Sequence, residues 1–404
     1  MPAESLPADR QPVLIAAKRT PIGRFLGGFS RTPATALGAH AIDAVLADAP
    51  AARDHVDEVI MGCVLQAGVG QAPARQAALG AGLPDTINAQ TVNKVCGSGL
   101  QSVMLAAQSI KAGDNQLVVA GGMENMTMAP HFANVRQGAK FGDVSLRDHM
   151  QYDGLRCAFE ACAMGDSADW IASEHSVSRE DQDAWAVRSH HRAAEATEQC
   201  FFSSEIAPLT GKQVGNRKAP GPEGGVAKDE GIRADSSIEG LAKLRPAFSA
   251  EGTVTAGNAS QISDGAAAVI VASKAKAEEL GLAPVATIHA YSTSGVRPRE
   301  IFRAPSLSIP AAVEKAGLTL ADIDLIELNE AFAAQTLQNI REAKLDEDKV
   351  NVCGGGIALG HPIGASGARV LTTLVYQMTR LEKRLGVAAL CLGGGNSVAM
   401  VIER

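Results

Sequence analysis

Large rings are scarce in this chain: aromatic residues fill 4% of its 404 positions, with two tryptophans and three tyrosines. An interior short of rings closes by bringing backbones together, and 41 glycines in a sequence that is 46% apolar supply the means. That balance reads as a compact Ala/Gly-rich α/β protein and excludes a disordered one. No basic block is present and the net charge is −7, which argues against a nucleic-acid footprint and against an anionic membrane surface as partner. No run of 18 apolar residues occurs, so no membrane helix is expected. The seven cysteines, at 63, 96, 157, 162, 200, 353 and 391, form no C-x-x-C pair. Neither a disulfide framework nor a zinc ribbon fits such scatter, and a reducing, cytoplasmic setting is expected. No ligand spacing or dinucleotide fingerprint calls for a metal or a redox cofactor. Residues 1–12 read as a solvated leader rather than a targeting peptide, and the terminal Val-Ile-Glu-Arg is no peroxisomal address.

What is present is order. A chain of this length divides into two or three domains. Apolar runs predict strands at Val13–Ala17, Val56–Gly62 and Gln116–Gly122, with helices at 34–47 and 72–82 and another opening just after Cys96. The second part repeats the order: strands at Val285–Ala290, Ile323–Asn329 and Val387–Leu392, a helix at 309–317, and one opening at Gly364-Ala365-Ser366-Gly367. From Val56 to Cys96 is 40 positions and from Ile323 to Gly364 is 41, so two copies of one βαβ-rich unit are read. Between them the pattern breaks. The segment holds both tryptophans, a charged helix from Arg179 to Glu198 in which His190 and His191 are expected at the surface, and a Gly/Pro/Lys-rich loop at 211–231. The expected division is residues 1–122 for the first half, 123–250 for an insertion over the site, 251–280 for the remainder of the first half, and 281–404 for the second.

Cys96 stands in Asn93-Lys94-Val95-Cys96-Gly97-Ser98-Gly99, immediately before the apolar stripe Leu100, Val103, Ala107 and Ile110. A thiol at a helix N-terminus is expected to have a lowered pKa and a raised nucleophilic fraction. The other cysteines at 63, 157, 162 and 200 are assigned to packing, and Cys353 stays open as a thiol near the site. Three further stretches carry partners for Cys96: Asn329-Glu330-Ala331-Phe332 at a strand's C-terminal end, His361 in the turn Gly360-His361-Pro362-Ile363-Gly364, and Cys391 before Gly393-Gly394-Gly395. One thiol activated by His361 can attack a thioester and become acylated, while the second takes or gives a proton at the carbon beside a thioester carbonyl. The two oxyanions would be met by His361 with a water on Asn329, and by the N–H groups of Cys96 and Gly393. The chemistry read is Claisen condensation or its reverse.

These stretches, with Arg19-Thr20-Pro21-Ile22-Gly23, Gly121-Gly122-Met123-Glu124, Gly252–Ser260 and Gly360–Arg369, closely resemble the thiolases, acetyl-CoA C-acyltransferases, over nearly the whole chain. The resemblance implies the α/β thiolase fold, a five-layered αβαβα core from two duplicated halves with an inserted loop domain, and a homodimer or homotetramer. It implies Cys96 as the acyl-carrying nucleophile, His361 as its activator and Cys391 as acid/base. It places Leu155, Met164, Arg233, Leu244, Phe248, Ala256 and Ser260 at coenzyme A, and Phe332 along the pocket. Coenzyme A and acyl-CoA are then substrates, and no cofactor is implied. Three positions depart from the short-chain pattern: Ala163 where a histidine precedes Met-Gly, Ile301 in place of a Met-Gly loop, and Ser397 after the triple glycine. They leave a medium- or long-chain 3-ketoacyl-CoA thiolase as one alternative and a catalytically lapsed acyl-CoA binder as another. A β-ketoacyl synthase, which pairs its cysteine with two histidines, fits Cys391 poorly.

Overall fold

The computed structural model describes residues 8–215 and 221–404, so most of the expected leader and the middle of the expected 211–231 loop lie outside the described residues. The strands are β1 (Pro12–Arg19), β2 (Glu58–Gly62), β3 (Asn88–Val92), β4 (Leu117–Asn125), β5 (Ser263–Ser273), β6 (Ala286–Gly295), β7 (Leu325–Leu328), β8 (Leu385–Leu392) and β9 (Asn396–Glu403). They order as β7-β8-β9-β6-β1-β5-β4-β2-β3, with Gly23–Arg24 added beside β5. Two halves meet where β1 pairs with β6 through two residues alone, Val13 with Thr287 and Leu14 with Ala286. Within each half a parallel pair, β2 with β4 or β7 with β8, is followed by an antiparallel neighbour, β5 or β9. Even the first half's edge strand β3 has a counterpart, a parallel bridge from Ile326 to Val350. The duplication read from the spacing is therefore a duplication of pairing.

Strand alternation then builds the layers. In β4, Leu117, Val119 and Met123 face one core with helices α1 (Ala34–Asp48) and α2 (Pro73–Gly80). Val118 and Ala120 face another with α3 (Ser98–Ala112). In β8, Leu390 and Leu392 join that same central core, which also holds α8 (Ser366–Arg380). Val387, Ala389 and Cys391 point the opposite way, toward α6 (Ala304–Lys315) and α7 (Ala333–Ala343). A period of two with both faces apolar makes each strand a partition between helical layers, giving αβαβα.

The central layer is closed by glycine. A Cβ on Gly99 would lie 2.6 Å from Ala368 N, one on Gly62 would lie 2.7 Å from Gly364 O, and one on Gly367 would collide with Leu100 N. Glycine in a helix costs about 0.5–1 kcal/mol relative to alanine, whereas forcing a methyl into a filled core costs about 1–3 kcal/mol, so close approach decides the residue. α3 stops at Gly113, whose φ of 90° lets its N–H reach back to the carbonyls of Ser109 and Ile110.

β4 runs to Asn125, past the expected boundary at 122. After it come α4 (Met164–Glu174) and α5 (Arg179–Glu198), the latter capped by Ser178 Oγ accepting from Asp181 N–H. The insertion is pinned to β1 by Arg19, fully buried, which donates to Glu205 at 2.6 Å and to both oxygens of Asp229 at 2.7 and 3.0 Å. Two carboxylates around one guanidinium hold it charged in spite of its burial. Two expectations in this segment are corrected. Within the loop expected at 211–231, Gly211–Val214 form a helical turn. His190 is buried, its Nδ1 accepting from Arg233 N–H at 3.1 Å, and burial lowers its pKa to about 4. A charged helix sequence hides which face packs, and the α5 face carrying Trp185, Ser189 and Ala193 also carries His190.

Replacement of Gly367 by alanine is expected to cost about 1–3 kcal/mol. Gly224→Ala, where a Cβ meets nothing within 4 Å, should change stability by less than about 0.5 kcal/mol. Urea denaturation of the two variants beside the parent chain measures the difference.

Candidate active site

The turn that delivers Cys96 is under strain. Val95 has φ of 47°, left-handed backbone that a β-branched residue seldom adopts and that costs about 1–3 kcal/mol. Side chains on both sides over-determine it. Asn93 Oδ1 accepts from Val95 N–H at 3.1 Å, and Ser98 Oγ accepts from Lys94 N–H at 2.8 Å while donating to Val95 O at 2.6 Å. The turn lifts Cys96 to the floor of a cavity of about 510 Å³. Gly393 sits beside this turn, where a Cβ would press on the Val95 side chain at 3.0 Å. The backbone N–H groups of Cys96 and Gly393 both favour the anion at the Cys96 sulfur.

The histidine arrives from the other half. His361 N–H donates to Gln261 O at 3.1 Å and to Ser263 Oγ at 3.2 Å, which fastens its turn to the start of β5. Its Nδ1 lies 2.6 Å from Ser366 Oγ. That hydroxyl already donates to Pro362 O at 2.9 Å, so it accepts the Nδ1 proton and leaves Nε2 with its lone pair. Asn329 Nδ2 is 3.4 Å from both ring nitrogens, over the ring rather than at either nitrogen, and Asn329 Oδ1 is buried without a protein partner. Asn329 is held by its N–H to Ala389 O at 2.9 Å and by the residue after it. Glu330 accepts from Trp185 Nε1 at 3.0 Å, Ser189 Oγ at 2.7 Å, Asn351 Nδ2 at 2.9 Å and Ile357 N–H at 3.2 Å. The inserted helix thus supports the strand end.

Electrostatics differ from the expectation. Burial pushes the Cys96 thiol up to about 12, because it outweighs the two N–H donors and because the Glu124 charge acts in the same direction. The helix itself begins at Ser98, two residues beyond the sulfur that its dipole was expected to favour. Burial, helped by the Arg369 charge, lowers His361 to about 3. Burial and the neighbouring Cys96 raise Cys391 well above the ordinary thiol range. At neutral pH the constellation holds two thiols and one neutral imidazole. Its chemistry is proton transfer at the moment of bond making, not a standing ion pair.

Cys96, His361, Cys391, Gly393, Leu155, Met164, Arg233, Phe248, Ala256, Ser260 and Phe332 all line one cavity, of which the duplication brought Cys96, His361 and Cys391 together in the sequence and the resemblance placed the rest except Gly393. Asn329 lies beneath His361, outside the lining, and Leu244 is displaced from it, packing beside Gly257 and α5 with its carbonyl accepting from Arg179 at 3.1 Å. Of the three departures, Ala163 and Ile301 line the cavity, whereas Ser397 bonds to Ser294 Oγ at 2.7 Å and Ala304 O at 3.0 Å and ties β9 to α6. Cys353 is buried behind Arg380, away from the cavity. Cys200 is exposed rather than packed, at the end of α5. Sequence reasoning missed Ser366, Val95 and Glu124. The hydroxyl five residues after His361, on the first turn of its helix, was the available signal for Ser366. Among the described residues no three His, Cys, Asp or Glu side chains converge as a metal site requires.

In a ¹⁵N-histidine NMR spectrum, His361 is expected as the Nδ1–H tautomer with no titration at the ordinary imidazole pKa, its own lying at about 3. Ser366→Ala should convert that signal to a tautomer mixture, and a Nε2–H signal in the unaltered chain would contradict the assignment.

Residues 12–275 match the family model described as "Thiolase, N-terminal domain" and residues 282–404 that described as "Thiolase, C-terminal domain". The chain is 50% identical over 394 residues to an acetyl-CoA acetyltransferase of Escherichia coli K12, covering 97% of this chain and 98% of that one. It is 50% identical over 393 residues to a probable acetyl-CoA acyltransferase of Staphylococcus aureus N315, with the same coverage. The crystal structure of the Bacillus anthracis acetyl-CoA acetyltransferase superposes with a TM-score of 0.94 at 39% identity, over 97% of this chain and 98% of that one. With both domains matched in order and the site assembled between them, the chain belongs to the thiolase family.

Proposed function

We propose that this thiolase interconverts two acetyl-CoA with acetoacetyl-CoA and CoA through an acyl group carried on Cys96. The observation that carries the assignment is the convergence of Cys96, His361 and Cys391 on one cavity from two halves of the chain. His361 Nε2, unprotonated and neutral, takes the Cys96 proton as the sulfur attacks the thioester carbonyl. The tetrahedral oxyanion is met by N–H groups of Cys96 and Gly393, and CoA leaves as thiol. The departing CoA sulfur takes the proton of Cys391, so that a second acetyl-CoA loses its α-proton to the Cys391 thiolate. Its enolate oxygen is met by His361, now holding the Cys96 proton, with a water on Asn329 Oδ1, and His361 returns that proton to Cys96 when the acyl group leaves. Carbon attack on acyl-Cys96 releases acetoacetyl-CoA, and thiolysis runs the same steps backwards. In place of the expected low Cys96 pKa, the high thiol and low imidazole values make proton transfer uphill on its own, so it is coupled to attack of the sulfur on the carbonyl.

Coenzyme A is assigned to the cavity mouth, where Arg24 and Arg233 are the cationic residues available to its phosphates. Leu155, Met164, Phe248, Ala256 and Ser260 are assigned to its pantetheine arm, while Leu244 acts through its packing against Gly257. Phe332 packs edge-to-face on Phe302 at 5.2 Å and on Phe248 at 6.3 Å, and this aromatic wall is assigned to the acyl side. The Escherichia coli relative's name supports acetyl transfer over longer chains. The domain division stays as read, except that the insertion is taken to begin after Asn125. A homodimer or homotetramer is part of the proposal, supported by the exposed apolar side chains Val135, Phe141, Val144 and Leu146. A cytoplasmic setting is supported by seven free cysteines. No helix of the described residues is long and apolar enough to cross a membrane.

Thiolysis is followed by loss of the Mg²⁺–enolate absorbance of acetoacetyl-CoA, beside longer 3-ketoacyl-CoAs. Cys96→Ala is expected to lower kcat/KM by about 10³-fold or more. Cys391→Ala should still gain the mass of one acetyl group on Cys96 from acetyl-CoA while forming no acetoacetyl-CoA. Full activity in Cys96→Ala would overturn the assignment.

A further inference from the structure

Glu124 is fully buried at the end of β4, close to the cavity yet not among its lining residues. Its carboxylate meets donors and nothing else among its hydrogen-bond partners. Oε2 accepts from Val64 N–H at 3.0 Å and Gly364 N–H at 2.9 Å; Oε1 accepts from Leu65 N–H at 3.2 Å and lies 3.9 Å from Cys63 Sγ. Val64 and Leu65 belong to the first half and Gly364 to the second. Two of these donors belong to an apolar wall and the third follows it in the chain, since Val64, Leu65 and Ile363, the residue before Gly364, pack together with Met126, Met150 and the side chain of Cys96. One carboxylate therefore joins the loop after β2, packed on the nucleophile, to the turn that carries His361.

The ionised carboxylate fits these donors best. It has full acceptor capacity at both oxygens, whereas an acid accepts more weakly at its hydroxyl oxygen and an amide must turn its NH₂ toward at least one of these N–H groups. A methyl cannot substitute at the far side either, because a Cβ on Gly364 would lie 2.7 Å from Glu124 Oε2.

We propose that Glu124 is a positioning residue whose carboxylate latches the Gly364 turn to the Val64–Leu65 loop, setting the reach of His361 to Cys96 across the two halves. The proposal rests on the assignment of Cys96 and His361 made above. The titratable and charged groups facing Glu124 are Cys63, Cys96 and Asp264, with Glu230 beyond Asp264. Burial raises Glu124 to about 7 against the pull of its three N–H donors. Asp264 stands at about 6, and His361 and Cys96 at about 3 and 12, so the latch titrates apart from the reacting groups. As pH rises through the Glu124 value the carboxylate forms and the turn is held.

The test is single-turnover acylation of Cys96 by acetyl-CoA, read as acetyl mass on the Cys96 peptide, as a function of pH. In the unaltered chain the rate should rise through about pH 7, the value of Glu124. Glu124→Gln should lose that step and fall about a hundredfold at its plateau, with KM for CoA within about threefold, as a misplaced base rather than a lost binding site requires. Asp264→Asn should keep the step. A flat profile in the unaltered chain, an unchanged profile in Glu124→Gln, or loss of the step in Asp264→Asn would each overturn the latch while leaving acyl-Cys96 in place. If Glu124→Gln fails to fold by circular dichroism, the unaltered chain and Asp264→Asn still decide. Absence of acetyl on Cys96 in the unaltered chain would instead remove the underlying assignment and the latch with it.

Discussion

Everything at the site depends on how closely two helix N-termini approach. α3 and α8 meet backbone to backbone because Gly99 and Gly367 present no side chain to each other's helix, and Gly62 and Gly122 clear the same space beside Gly364 O. Two copies of one unit are thereby packed with their equivalent helix starts side by side. The Cys96 turn of one and the His361 turn of the other open into one cavity. A side chain at any of those four glycines would meet backbone of the facing half at Leu100, Gly364 or Ala368.

Polar groups inside this packing are kept by making each charge answer a geometric need. Arg19 pins the insertion to β1 through Glu205 and Asp229, Glu330 beside Asn329 gathers donors from α5 and from Asn351 and Ile357, and Glu124 gathers three N–H groups from both halves. Removing one partner from such a cluster leaves an unpaired buried charge, which costs more than the pair contributes. By contrast Cys96, His361 and Cys391 are all neutral at rest. On the proposed mechanism, in which one sulfur is acylated and deacylated, neither direction begins from a deeply stabilised ion.

Local sequence made most elements legible. The strands at 12–19, 117–125 and 385–392 and the helices at 34–48 and 98–112 follow from apolar runs and spacing, because strands buried on both faces read as continuous hydrophobic stretches. The candidate site was legible as four short motifs, from which Cys96, His361, Cys391 and Gly393 line the cavity; Leu155, Met164, Arg233, Phe248, Ala256, Ser260 and Phe332, which also line it, were placed by the resemblance to the thiolases. His190 was misplaced because a helix of charged residues gives no sign of which stripe packs. Leu244, placed at coenzyme A by the resemblance, lies outside the cavity lining, among neighbours from α5 and the Gly257 turn that are far away in the chain. Val95, as a β-branched residue, gives no sign of its left-handed backbone by its own type; Asn93 and Ser98 beside it and the Gly393 turn packed against it hold it there.

By itself the sequence determined the two βαβ units, the glycines at which they had to touch, and the identity of the thiols and imidazole, because these are properties of residue type and of spacing along one chain. The proton affinities were decided by the tertiary structure. A helix-terminal cysteine reads as acidic in one dimension, and burial across two halves makes Cys96 a thiol near 12 and His361 a neutral base near 3. Desolvation is a sum over neighbours that are distant in sequence, so no local stretch could contain it.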